Sequence, residues 1–337
     1  MKLATLKDSW CRDGRLVLVS RDLRRAVAAD DIAPTLLCAI ETWDACHQAL
    51  QQRYEALNAG HAPDAFDFDP REAAAPLPRS PQWCDGSAFL HHGRLMERAF
   101  NTPPIPEFDT VPVMYQGASD DFLGPHDEVP LPEEAHGIDF EGEFGVVLDS
   151  VPMGVAPEAA LDRIRLLVQI NDWSLRALGP REMRSGFGFL QAKPSTAFAP
   201  VAITPDELGD GWRDGRVQMR LHVDWNGQWF GHAHGGAMNF HFGELVAHAA
   251  RTRKLSAGTV IGSGTVSNAE RDAGSSCIAE RRVLELLDQG EARTGFMRFG
   301  DTVRMEARFD EIDGGAEVQA PFGVIEQRVV RLGLGHA

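Results

Sequence analysis

Cysteine is scarce in this chain. Its five residues, Cys11, Cys38, Cys46, Cys84 and Cys277, form no C-x-x-C pair. That argues against a disulfide framework or a thiolate zinc site and for reduced thiols. Long apolar runs are missing too: no window approaches the ~18 residues that a transmembrane helix needs. The opening MKLATLKDSWCRDGR lacks the apolar core of roughly 7–15 residues that marks a secretory signal. Basic residues are in deficit, with 33 Lys+Arg against 49 Asp+Glu and a net charge of −16. Nucleic acid and anionic membrane both require a positive surface, so neither is expected as a partner. An anionic small molecule stays compatible, because a metal or a few Arg and Lys can reverse the potential locally. There are no internal repeats or low-complexity tracts. These absences point to an acidic, soluble protein of the cytoplasm.

What is present suits one large domain or two unequal ones in 337 residues. Residues 1–30 read as short strands, Leu16-Val17-Leu18-Val19 the clearest. A helix is expected from Pro34, with Leu36, Ile40, Trp43, Cys46, Leu50, Tyr54 and Leu57 on one face and Gly60 at its end. Residues 60–82 hold five prolines and read as a linker. The division is therefore 1–80, a small N-terminal domain with linker, and 81–337, the main domain. In the latter, strands are expected at Phe144–Leu148, Leu166–Ile170, Val217–Val223, Val260–Ile261 and Thr302–Ala307, and a helix over 241–254. So few long helices among so many strands disfavour a doubly wound parallel fold. The expected class is mixed, β-rich α+β.

The chemistry gathers in four short stretches. In GIDFEGEFGVVLD (137–149), Asp139, Glu141 and Glu143 alternate along an apparent strand, and a rise of ~3.3 Å per residue puts Glu141 and Glu143 ~7 Å apart. Two carboxylates at that distance can converge on one divalent cation; a solvated edge strand is the bland alternative. The apolar Val146-Val147-Leu148 that follows favours burial. In INDWSLR, the strand LLVQI ends at Asp172, with Arg176 four residues on; a simple strand-end turn would look the same. Lys193 lies in a KPST loop. Gly262-Ser263-Gly264-Thr265 follows a strand but lacks the third glycine and the long helix of a dinucleotide fingerprint.

Together and in this order, DFEGEFGVVL, INDWSLR, KPST and Leu255–Thr265 resemble the fumarylacetoacetate hydrolase family over roughly residues 80–330. The resemblance implies a β-roll fold behind a small N-terminal β-barrel-like domain, and a homodimer. It implies one divalent metal, Mg or Ca with Mn possible, held by Glu141, Glu143, Asp172 and Asp85. It implies a base, His92, seven residues beyond Asp85, with His91 competing, and a partner glutamate, Glu280. Arg176 and Lys193 would stabilise developing negative charge, and Tyr115 and Thr265 would contact substrate. Asp139 becomes a neighbour of the cage rather than a ligand. The implied activity is metal-dependent hydrolysis of a carbon–carbon bond in a β-diketo acid such as fumarylacetoacetate or an acylpyruvate.

The sequence departs from fumarylacetoacetase at Ser87, Asn101 and Gly179, where that enzyme has tyrosine, arginine and glutamine. The substrate pocket is thus less well matched than the cage. A decarboxylase, hydratase or isomerase working through a metal-bound enolate is the alternative on the same fold. A noncatalytic Ca-binding protein is the alternative outside enzymes. His232 and His234 in GHAHGG lack a third metal ligand nearby and read as surface or turn histidines. Trp173 and Cys277 read as packing residues.

Overall fold

A computed structural model describes residues 1–100, 103–310 and 320–333 of the chain. Asn101, the residue at the family arginine position, lies outside the described residues. The chain opens with an antiparallel meander, β1 (Lys2–Leu6), β2 (Arg15–Val19) and β3 (Arg25–Ala28). The single helix expected from Pro34 is two. In α1 (Leu36–Glu41) the Thr35 side chain accepts from the Cys38 N–H, and the helix ends where Thr42 N–H turns back to the Cys38 carbonyl. In α2 (Trp43–Asn58), Trp43, Cys46, Leu50, Tyr54 and Leu57 are buried as their spacing predicts.

The main domain follows with β4 (Trp83–Gly86), α3 (Leu90–Phe100), β5 (Met114–Gly117), β6 (Ile138–Asp139), β7 (Gly142–Leu148), β8 (Ile164–Asn171) and α4 (Gly179–Ser185). Next come β9 (Ala202–Ile203), β10 (Arg220–Trp225), β11 (Gln228–His234), α5 (Phe242–Ala249), β12 (Val260–Gly262), α6 (Ile278–Gln289), β13 (Thr302–Arg308) and β14 (Ile325–Arg331). An 11-stranded sheet runs in the order Phe66–Asp67, β3, β2, β1, β9, β8, β7, β12, β4, β5, with Ala197–Phe198 added beside β8. A five-stranded sheet runs β11, β10, β13, β14, Val129–Leu131. The N-terminal strands therefore continue the large sheet through β1 and β9, and their path is open, without barrel closure among the described residues.

Alternate residues of the large sheet feed two cores. Leu166, Val168 and Ile170 of β8 join Leu3, Leu18 and the buried stripe of α1 and α2. Leu167 joins Val146, Leu148, Leu221, Val303 and Met305, so this face meets the five-stranded sheet. All seven residues of β7 are buried. Covering both faces is why the alternation of its sequence fails after Phe144.

Three further expectations need correction. Asp139, Glu141 and Glu143 do not share one strand: β6 pairs with Ser174–Leu175, β7 pairs with β8 and β12, and the chain breaks step between them. The strand expected at Val217–Val223 is split, because Arg216–Val217 pairs with Trp212–Arg213 and β10 begins only at Arg220. The helix expected over 241–254 stops at Ala249; His241 and Glu244 close a capping box at its start, and its basic end lies beyond. Two further helices, α3 and α6, pack on each other and supply residues to the site.

Candidate metal and catalytic site

Asp85 sits on β4 beside β12, with Asp85 opposite Gly262 in parallel register. The GSGT motif makes room for it. A side chain at position 262 would place its Cβ 2.3 Å from Asp85 Oδ1, and one at 264 would sit 2.3 Å from the Gly86 carbonyl oxygen. Gly264 also takes a left-handed φ of 75° that favours glycine, and its N–H donates to Asp85 Oδ1 at 3.0 Å. The motif is thus a backbone cradle for a carboxylate rather than a nucleotide loop.

Glu143 enters from β7 and Asp172 from the end of β8. One oxygen each from Asp85, Glu143 and Asp172 lie within 4.8 Å of one another, and all three residues are buried. Asp172 accepts from the Tyr115 hydroxyl at 2.5 Å, from Lys193 Nζ at 2.7 Å and from Thr196 Oγ1 at 2.8 Å. Among the described residues, both oxygens of Glu143 are without a hydrogen-bond partner. Burial, reinforced by Asp85 and Asp172, pushes the Glu143 carboxyl well above its ordinary range. Burial and Asp172 push Asp85 up to about 8. A buried carboxylate without donors is costly, and three that face one another compound it. A cation removes both penalties. The donor set is oxygen only, which suits a hard divalent ion such as Mg²⁺, Ca²⁺ or Mn²⁺.

Glu141 stands at the edge of this group. Its N–H donates to Asn171 Oδ1 at 3.0 Å, and its carbonyl accepts from the Asp172 N–H at 2.9 Å, which ties the two ligand segments together. Its carboxylate meets Arg176 at 2.7 Å and Lys193 Nζ. Burial opposes its charge, but Arg176 and Lys193 prevail and hold the carboxyl well below its ordinary range. Lys193 in turn bridges Glu141 and Asp172; burial alone would lower its ammonium, yet Asp172 and Glu141 raise it. Asp139 points elsewhere. It accepts from Arg176 Nε at 2.8 Å and from the first amides of α6, Ile278 N–H at 2.7 Å and Ala279 N–H at 2.9 Å. It is thus an anchor for α6 and Arg176, apart from the three-carboxylate group.

His92 on α3 and Glu280 on α6 meet at 2.9 Å, His Nδ1 to Glu Oε2, both buried. In the neutral tautomer that donates from Nδ1 to the Glu280 carboxylate, Nε2 carries the lone pair. Asp85, His92, Tyr115, Glu141, Arg176, Lys193 and Thr265 all line one cavity of about 220 Å³. Thr265 Oγ1 is buried without a partner. His91 does not line the cavity, and its Nε2 has no partner. Tyr115 is held by the cage carboxylate Asp172 as well as facing the cavity. Trp173 is fully buried and its indole N–H donates to Gln327 Oε1 at 3.0 Å, so it packs. His234 caps the Gly236 N–H and faces Asp310. Cys277 is buried at the start of α6.

Sequence reasoning missed Thr196 and Asn171, although both lie inside motifs it used; a hydroxyl and an amide beside ligand residues are the signal. It also missed α3 and α6. The pattern Ile278, Val283, Leu284 with Gly290 at the end marks α6, whereas two histidines and a glycine obscure α3.

Known proteins share this chain's sequence features and fold. A 2,4-didehydro-3-deoxy-L-rhamnonate hydrolase of Sphingomonas sp. (strain SKA58) is 30% identical over 165 residues, 48% of this chain and 54% of the relative. The chain thus spans about half the length of that curated relative. A mitochondrial oxaloacetate tautomerase of Xenopus laevis is 26% identical over 270 residues, 79% of each chain. The fold matches the crystal structure of maleylpyruvate hydrolase from Sphingobium sp. SYK-6 in complex with manganese(II) and pyruvate, with a TM-score of 0.64, 16% identity and coverage of 98% and 99%. The profile of the fumarylacetoacetase N-terminal domain 2 matches residues 1–79. With the profile of the fumarylacetoacetate hydrolase C-terminal domain matching residues 82–330, the chain belongs to the fumarylacetoacetate hydrolase family.

Proposed function

We propose that the chain is a hydrolase that cleaves a carbon–carbon bond in a β-diketo acid such as an acylpyruvate, with Asp85, Glu141, Glu143 and Asp172 as the cage for Mg²⁺ or Ca²⁺. The observation that carries this reading is His92, paired with the buried Glu280, lining one cavity with Asp85 and Glu141. A bound divalent cation would polarise the paired oxygens of the substrate. His92 Nε2 takes a proton from water, and the Glu280 carboxylate steadies the imidazolium through Nδ1. The water oxygen bonds to the acyl carbonyl carbon, and Arg176 and Lys193 favour the negative charge that develops there. The bond between that carbon and the methylene then breaks, and the proton on Nε2 passes to the departing carbon. The products are a carboxylic acid and a 2-oxo acid. Thr265 and Tyr115 orient the substrate. The free cysteines and the family resemblance support a cytoplasmic homodimer.

The tautomerase relative supports a second reading, in which the same cage handles a proton on an enolisable keto acid without adding water. His92→Ala separates the two. Hydrolysis predicts that turnover falls by ~10²–10⁴-fold while substrate binding persists. Full turnover in His92→Ala, together with loss of activity in Glu141→Ala, would remove His92 from water activation and leave the tautomerase reading.

A further inference from the structure

We infer that the outer half of the cavity selects a keto acid with an uncharged, apolar tail and rejects one that ends in a second carboxylate. This rests on the cage being the seat of the keto-acid head. Among the described residues, the cationic side chains that line the cavity are Arg176 and Lys193. Both are already committed to carboxylates at the cage end. The other wall is made by Met96, Ile105, Phe108, Val113, Met183 and Phe189. Its one charged group is anionic: Glu97 lines the cavity, and its Oε1 accepts from the Ile105 N–H at 3.2 Å, which holds the carboxylate at the rim.

The basic residues near this wall do not line the cavity. Arg94 is exposed and pairs with Asp109 at 2.7 Å. Arg181 and Arg184 flank Met183 on α4, are exposed, and do not line the cavity. Asn101 and Thr102, outside the described residues, carry no charge. A carboxylate entering this wall would lose its water, gain no donor from it and face Glu97. Phe108 is held in the lining by its contact with α3 at Gly93, where a Cβ would lie 2.2 Å from the ring.

The test uses two uncleavable acids of equal length, 2-oxohexanoate and 2-oxoadipate, titrated into the Mg²⁺-loaded protein by calorimetry. The expected result is at least about tenfold tighter binding of 2-oxohexanoate. Glu97→Gln should narrow the gap by tightening 2-oxoadipate, and Met96→Arg should close or reverse it. Equal or tighter binding of 2-oxoadipate by the unaltered protein overturns the inference, as does failure of both acids to bind. A parallel assay on butanoylpyruvate and succinylpyruvate keeps the two claims apart. If neither is cleaved while the binding preference holds, the hydrolase reading fails and the selectivity stands.

Discussion

Glu143 is an expensive side chain, with two buried oxygens that no donor among the described residues meets. Its cost falls on the metal-free state alone. Glu143→Gln should therefore raise or leave unchanged the melting temperature in chelator, while the rise produced by Mg²⁺ or Ca²⁺ in the unaltered protein disappears. Thermal melts with and without metal check both halves. In the proposed mechanism Glu280 acts at one remove, through the ring of His92. Replacing it by Gln keeps the shape but weakens stabilisation of the imidazolium. We expect kcat to fall at least about 100-fold with KM little changed, measured by steady-state kinetics at saturating metal.

Elements bring these residues together, and α6 is tied to the site at its start through Asp139. Asp139 accepts from its first two amides and from Arg176, so it fixes both the helix that carries Glu280 and the arginine beside Glu141. Burial pushes its carboxyl up against the pull of Arg176 and the amides. Asp139→Ala leaves Arg176 with one carboxylate and should cost ~3–5 kcal/mol, read from denaturant unfolding, with activity lost in parallel. The β10–β11 hairpin carries a pH dependence of its own. His222 lies opposite His232 in register, with ring centroids 5.8 Å apart. Burial, with Arg308 and His232 nearby, lowers His222 to about 4. The unfolded chain binds this proton near pH ~6.5 and the folded hairpin only near 4. The contribution of His222 to stability is full above that range and is lost as pH falls through it. His222→Gln should flatten the decline of melting temperature between pH 6.5 and 4.

At the scale of the whole molecule, the sequence reveals the acids proposed to hold metal better than the frame that aims them. Glu143 and Asp172 were legible because acids beside buried apolar runs demand a partner. The β-rich class was legible from the short strands and the scarcity of long helical periods. The break between β6 and β7 was not, since DFEGEF alternates without interruption and only pairing with Ser174–Leu175 pulls Asp139 out of line. The role of Gly262 and Gly264 was also hidden, because a cradle for Asp85 exists only once β12 and β4 lie side by side. Nor does any local pattern show that α3 and α6, nearly 200 residues apart, join His92 to Glu280. Metal should stabilise the whole chain by linkage, adding about 2.7 kcal/mol at 100 times its Kd, visible as a melting temperature that rises with Mg²⁺ concentration.

The central claim is that this cage and this His–Glu pair hydrolyse a β-diketo acid with metal. It is tested most directly by following the enol absorbance of fumarylacetoacetate, a set of acylpyruvates and oxaloacetate with metal-stripped protein, then with Mg²⁺, Mn²⁺ or Ca²⁺ restored. The account predicts no loss of absorbance in chelator, loss on restoring metal with at least one acylpyruvate, and release of pyruvate and a carboxylic acid in equal amounts. Absence of any metal-dependent loss across the panel, or loss without carbon–carbon cleavage products, would contradict it.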